Sequence, residues 1–270
     1  MVGERRSGGF AATMIAMRQT LAMTSADPTV VLVHGAWHGA WCWRKTAAAL
    51  EGHGLSVIAP DMPGHGEDLG AVGDLGVDAQ RLRDVVATVE GPVILVGHSY
   101  GGLIISEAAS DSVTAAKVAR LVYVCAIVTA PGLTFFGVPA DHSRSLLGPL
   151  IRQQDNGLST IDTTDVAAAK AAFYGDCHDD DVAFAAAHLS AQPMGNMGSA
   201  VSGNPLATIP GTYIRCTEDR TIPIEVQDAM VDSVRSAVAT FETITVAASH
   251  SPFFSMPHEL AALLVTLARR

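Results

Sequence analysis

Apolar residues fall along this chain in two rhythms. Short runs rich in β-branched residues occur at Thr29–Val33, Ser56–Ala59, Pro92–Val96, Ala119–Val124, Gly211–Cys216 and Phe241–Val246. Between them, apolar residues recur at helical spacing over Trp43–His53, Val77–Val89, Leu103–Ser110, Ile224–Arg235 and His258–Ala268. A strand that is apolar at nearly every position is buried on both faces, as happens in a parallel sheet whose crossover helices cover it. The alternation therefore predicts an α/β fold: a mostly parallel, doubly wound sheet of about six strands.

The alternation lapses once. From Thr129 to Ile209 no clear strand is read, only Ala-rich helical patterns at Asp165–Tyr174 and Asp180–Leu189 with Pro and Gly turns between them. The expected division is a core of residues 28–128 and 210–270, with 129–209 a helical cap insertion over the sheet's C-terminal edge. Open α/β sheets bind their ligands at that edge. Residues 1–27 read as a mobile overhang, and Met23 offers a shorter start. Arg5-Arg6 before Phe10–Met17 faintly resembles an export leader, but Arg18 and the lack of a cleavage site weigh against it. A cytoplasmic protein is expected, with export the alternative if residues 1–27 act as a leader. Leu121–Ala140 carries no charge, yet Pro131-Gly132 interrupts it, so it reads as a strand entering a loop and not as a membrane span.

Composition narrows the partners. Hydrophobic residues are 49% and charged residues 16%, which argues for a folded chain with a large core. A net charge of −10 leaves no basic excess for nucleic acid. Cys42, Cys125, Cys177 and Cys216 form no C-x-x-C pair, and Cys125 and Cys216 lie in or beside apolar runs, where buried inert thiols are expected. The acids of His178-Asp179-Asp180-Asp181 read as a solvated helix start and not as metal ligands. No metal and no organic cofactor is expected.

The chemistry is concentrated at Val93-Ile94-Leu95-Val96-Gly97-His98-Ser99-Tyr100-Gly101-Gly102. A strand runs straight into G-x-S-x-G and then a helix. A serine on such a sharp turn is strained, and only small flanking residues let the turn close. The helix that follows aims free N–H groups at developing negative charge. A hydroxyl needs a base, and the acid and the histidine of such a site follow the serine in that order, each after a late strand. Asp219 follows Gly211–Cys216 and His250 follows Phe241–Val246, which gives a candidate triad of Ser99, His250 and Asp219, with Glu218 the rival acid. After the first strand comes His34-Gly35-Ala36-Trp37-His38-Gly39. By position, the backbone N–H groups of Ala36 and Tyr100 form the oxyanion hole, with His34 bracing the loop. Trp37, His38 and Ser251 are candidates for lining the substrate site. Phe135, Phe136, Met194 and Met197 either form a hydrophobic pocket or pack within the insertion.

With those residues placed, the chain resembles the methylesterase and hydroxynitrile lyase branch of the α/β-hydrolases. The resemblance is carried by Val31–Trp43, by Ala59-Pro60-Asp61-Met62-Pro63-Gly64-His65-Gly66 and by the serine elbow. Thr221-Ile222-Pro223-Ile224 and Ser249–Pro257 are similar to bacterial carboxylesterases that hydrolyse pyrethroids. The resemblance implies hydrolysis of small to medium apolar esters by a monomer or homodimer. Lactone hydrolysis or acyl transfer by the same triad, and a slow-turnover receptor, are the alternatives. Hydroxynitrile lyases carry threonine and lysine where this chain has Gly35 and Ser251, which disfavours lyase chemistry.

Overall fold

A computed structural model describes residues 27–68, 70–238 and 240–270; the expectations for residues 1–26, the leader and the Met23 start among them, lie outside the described residues. The core elements, in chain order, are β1 (Thr29–Val33), α1 (Arg44–Gly52), β2 (Val57–Ile58), α2 (Leu75–Thr88), β3 (Val93–His98), α3 (Gly101–Ala108), α4 (Ser112–Ala115) and β4 (Val118–Val124). The insertion then contributes β5 (Ile151–Gln153), β6 (Leu158–Ile161), α5 (Val166–Phe173), α6 (Asp179–His188) and β7 (Gln192–Pro193). The core resumes with β8 (Gly211–Cys216), α7 (Ile224–Arg235), β9 (Phe241–Val246), α8 (Pro252–Ser255) and α9 (Pro257–Ala268).

Six strands form one sheet in the order β2-β1-β3-β4-β8-β9. Every pairing is parallel. Val30, Val31, Leu32 and Val33 have no exposed surface, as double coverage of the sheet requires. α9 packs along α1, and α2 against α3. From β1 the chain pairs β2 on one side, then returns to pair β3 on the other. The C-terminal ends of β1 and β3 therefore flank a topological switch point, the place where such sheets open a crevice. Among the described residues no helix is long and apolar enough to cross a membrane.

The insertion departs from the all-helical expectation. Its two helices are where the Ala-rich patterns lay, but β5, β6 and β7 build a separate antiparallel sheet. Asn156-Gly157 makes the turn between β5 and β6, with Gly157 at φ 81° and Asn156 Oδ1 accepting the Leu158 N–H at 3.1 Å. That dipeptide between Leu150-Ile151 and Leu158 is a hairpin signal of the ordinary kind, set between flanks too short and mixed to read as strands. Of the acids at the start of α6, Asp179 and Asp180 are exposed as expected and Asp181 is not. Asp181 is buried and paired with Arg44 (3.0 Å) and Lys45 (2.7 Å) of α1, so it fastens the insertion to the core.

Candidate active site

The elbow is built from backbone that no larger residue could occupy. A Cβ on Gly97 would lie 2.5 Å from the Gly101 carbonyl oxygen, and one on Gly101 would lie 2.6 Å from that of Val33. Ser99 itself has φ 52°. Only three described non-glycine residues have positive φ: Trp37 (62°), Ser99 (52°) and Cys125 (35°). They follow β1, β3 and β4, three neighbours in the sheet, so the strained positions gather at one edge. Each such residue costs on the order of 1–3 kcal/mol and persists only where its surroundings impose it.

Asp219 and His250 converge at that edge from β8 and β9. His250 Nδ1–H donates to Asp219 Oδ2 at 2.7 Å, and both side chains are buried. The other carboxylate oxygen accepts the N–H groups of Thr221 (2.7 Å) and Ile222 (2.8 Å). Glu218, the rival acid, is exposed. Next to Ser99, His98 Nε2–H donates to the His250 carbonyl at 2.7 Å, and the two imidazole rings are 4.6 Å apart. The loop that carries His250 is thereby bonded to the residue adjoining the serine. Burial drives His98 well below the usual histidine range and His34 down to about 3, so neither ring carries charge at neutral pH. His34 accepts the Met62 N–H at Nε2 (3.1 Å) and donates from Nδ1 to the Gly35 carbonyl (2.9 Å), a brace for the loop after β1.

The N–H groups of Ala36 and Tyr100 have no protein acceptor among the described residues, although both residues are buried. A buried amide without a partner is uncommon and calls for an explanation. The Tyr100 side chain turns away from the serine, its hydroxyl donating to Asp78 Oδ2 at 2.7 Å. Asp78 is buried with its second oxygen unpartnered. Burial raises its carboxyl to about 6; the Tyr100 hydroxyl opposes that rise and the nearby charge of Asp74 adds to it. Because the folded value lies above the unfolded one, the native state holds this proton more tightly, and stability is lost as pH rises from about 4 to about 6. Asp78→Asn keeps an acceptor for Tyr100 and removes the buried charge. Relative to the parent it is expected to gain about 2–3 kcal/mol between pH 4 and pH 7, because the buried charge destabilises the parent alone, in paired thermal melts at the two pH values. The amide NH₂ set where Oδ1 has no partner adds a pH-independent offset.

A cavity of about 340 Å³ opens over Ser99. Its walls include Trp37, Ile127, Phe135, Phe136, Met194 and Met197, so the four insertion residues line it and are not merely internal packing. Phe136, 60% exposed, stands at the mouth. Two expected lining residues are absent from it. His38 is buried against Tyr174 and the Ala36 carbonyl. Ser251 is fully buried, its carbonyl taken by the Phe254 N–H as α8 begins.

The residues that no local pattern announced hold the loops that carry Asp219 and His250. Gln227, fully buried on α7, bonds the backbone N–H (3.1 Å) and carbonyl (3.0 Å) of Cys216 and the carbonyl of Ile222 (2.8 Å), bracketing the turn that carries Asp219. Asp176 accepts both the N–H (3.1 Å) and the hydroxyl of Ser249, which precedes His250. Among the described residues one trio of metal-ligand types, His98, Cys125 and His250, lies within 4.8 Å. It is a hydrogen-bonded knot: His98 and the Cys125 thiol (3.5 Å) both donate to the His250 carbonyl, and His250 Nδ1 is engaged by Asp219. All four cysteines are buried free thiols.

The profile of the alpha/beta hydrolase family matches residues 30–263. This chain belongs to that family. A pyrethroid hydrolase of Sphingobium wenxiniae is 32% identical over 259 residues, covering 91% of this chain and 89% of that protein. Putative methylesterase 11, chloroplastic, of Arabidopsis thaliana is 30% identical, over 88% of this chain but 63% of the plant protein's length. The crystal structure of a pyrethroid hydrolase from Sphingobium faniae superposes with a TM-score of 0.76 at 31% identity, covering 89% of this chain and 97% of that one. The methylesterase branch and its pyrethroid-hydrolysing members are thus the part of the family to which this α/β-hydrolase is similar, as its motifs implied.

Proposed function

We propose that this α/β-hydrolase is a serine carboxylesterase for small to medium apolar esters, with Ser99 as nucleophile, His250 as base and Asp219 as the orienting acid. Ser99 Oγ attacks the ester carbonyl carbon while its proton passes to His250 Nε2. The carbonyl oxygen, now negative, is met by the N–H groups of Ala36 and Tyr100. The intermediate collapses, the alcohol leaves with the proton from His250, and Ser99 is left acylated. Water enters by the same route, releasing the acid and restoring the serine. As written, the steps call on no metal or organic cofactor.

One observation carries the reading. A buried 2.7 Å Asp219–His250 bond is tied through the His250 carbonyl to His98, the neighbour of a serine on a strained elbow that opens into an apolar cavity. Asp219 fixes the proton on Nδ1, which leaves Nε2 free to act as base. The substrate class is supported by the cavity walls and by the names of the relatives, hydrolases of pyrethroids and methyl esters. Labelling with a fluorescent organophosphonate, followed by peptide mapping, tests the reading. The label is expected on Ser99 alone and to abolish turnover of p-nitrophenyl butyrate in step; label on another serine, or activity that survives full labelling, sinks it.

A further inference from the structure

The turn that carries the Ala36 amide is in a conformation its own sequence disfavours. His38 N–H bonds the Gly35 carbonyl at 3.3 Å, closing a four-residue turn over Gly35-Ala36-Trp37-His38. Trp37, third in the turn, has φ 62°, and Ala36 is not among the positive-φ residues. A negative second and positive third position define a type II turn, which calls for glycine or asparagine in the third place. Tryptophan there is strained, and left alone the turn would relax by rotating the peptide that joins residues 36 and 37.

The contacts that oppose this rotation come largely from the insertion. His38 is buried and both its ring nitrogens are engaged: Nδ1–H donates to the Ala36 carbonyl at 2.9 Å, and Nε2 accepts the Tyr174 hydroxyl at 2.8 Å. Burial lowers this histidine to about 4, so the ring is neutral, with one proton and one lone pair. The pairing uses both. It fixes the Ala36 carbonyl, on the peptide that would have to turn, and so holds the Ala36 Cα from which the N–H of the preceding peptide extends. Two further insertion contacts hold Trp37 itself. Its indole N–H reaches the Ser159 carbonyl (3.2 Å), and its own carbonyl accepts the Ser190 N–H (2.8 Å).

We infer that His38, held by Tyr174, is a positioning residue for the oxyanion hole: it locks the strained turn that presents the Ala36 N–H. The inference rests on the serine esterase reading above. It gives the insertion a part in the chemistry beyond walling the cavity, since the insertion supplies the hydroxyl that orients the imidazole. The role is electrostatic preorganisation, so it should be felt where negative charge develops and not in ground-state binding.

The test is steady-state kinetics on p-nitrophenyl butyrate, with inhibition by an alkyl trifluoromethyl ketone, which forms a tetrahedral adduct on the serine. His38→Ala is expected to lower kcat by about 10- to 100-fold with KM changed less than about threefold, because the amide is displaced but not removed. Ketone affinity should fall by the same factor as kcat/KM. His38→Asn, which can still donate to the Ala36 carbonyl, should recover most of the rate. Tyr174→Phe, which deletes one oxygen, should lose about fivefold in kcat and serves if His38→Ala folds poorly. The deciding readout is a cycle with Trp37→Gly. Glycine accepts positive φ without strain, so in that background His38→Ala should cost less than about threefold in kcat. An undiminished kcat in His38→Ala, a loss confined to KM, ketone affinity that does not follow kcat/KM, or an equal loss with glycine at 37 overturns the inference. Should Ser99→Ala prove active, the esterase reading fails instead; an inactive Ser99→Ala beside an unimpaired His38→Ala fails the brace alone.

Discussion

Ser99→Ala is expected to lose about 10⁵–10⁶-fold in kcat for ester hydrolysis while melting within a few degrees of the parent. On the esterase reading the loss is large because the roles proposed for His250, Ala36 and Tyr100 all act through that oxygen. His250 has no proton to take without it, and the Ala36 and Tyr100 amides have no alkoxide-derived intermediate to meet. What survives is water attack helped by those amides alone. In free energy the loss corresponds to about 7–8 kcal/mol of transition-state stabilisation. Stability should hardly change: the positive φ of 52° is as awkward for alanine as for serine, and the Ser99 carbonyl keeps its bonds from Gly102 and Ile127. Stopped-flow and steady-state assays on the same p-nitrophenyl ester measure the rate, and circular dichroism melts measure the fold. Retention of more than about one-hundredth of parental kcat by a correctly folded variant would falsify the nucleophile assignment.

The core was legible because burial on both faces leaves unbroken apolar runs. β1, β8 and β9 begin and end where those runs do. β2 is only Val57–Ile58, paired with Val30 and Val31 of β1, so it is shorter than the run Ser56–Ala59 that announced it. The insertion was less legible for the opposite reason. β7 is two residues long and ends in Pro193, and β6 is Leu-Ser-Thr-Ile, too short to show a period. Ser99, Asp219 and His250 stood out because each lies on the loop that closes a strand. For His38 and Ser251, nearness in sequence to the site residues was a poor guide to direction: one points into the insertion and the other is enclosed as α8 begins. Tyr174 lies 136 residues from its partner His38, so nothing local could announce the contact.

Those long-range contacts have a common origin. The end of α5 and the turn after it reach three of the loops at the sheet edge: the Ala172 carbonyl accepts the Thr221 hydroxyl (2.9 Å) near Asp219, Tyr174 holds His38, and Asp176 holds Ser249 beside His250. The insertion is therefore bonded to the loops after β1, β8 and β9 within one short stretch. Sequence drift elsewhere in the insertion can alter the cavity walls without touching these bonds, which is a physical reason for one scaffold to serve different esters.

Asp219→Asn is expected to cost about 10⁴-fold in kcat with little change in KM, because the backbone dictates which way the amide must face. One side-chain oxygen of Asp219 accepts the N–H groups of Thr221 and Ile222 at 2.7 and 2.8 Å. An asparagine can satisfy both donors only by placing its carbonyl there. Its NH₂ then occupies the position of Oδ2 and faces His250 Nδ1. A donor in that place requires Nδ1 to be the lone pair, so the proton moves to Nε2, the atom that must accept the serine's proton. The imidazole stays where it is and becomes the wrong tautomer. The flipped amide does not escape this, since it leaves two buried N–H groups against an NH₂ at a cost of about 1–3 kcal/mol each. Kinetics should therefore separate Asp219→Asn from Glu218→Gln, whose side chain is exposed and whose kcat should stay within about twofold of the parent. A ¹⁵N NMR spectrum of the imidazole should report the proton on Nδ1 in the parent and on Nε2 in the variant. The reverse kinetic order, or an unchanged tautomer with an inactive enzyme, would remove Asp219 from the acid's role.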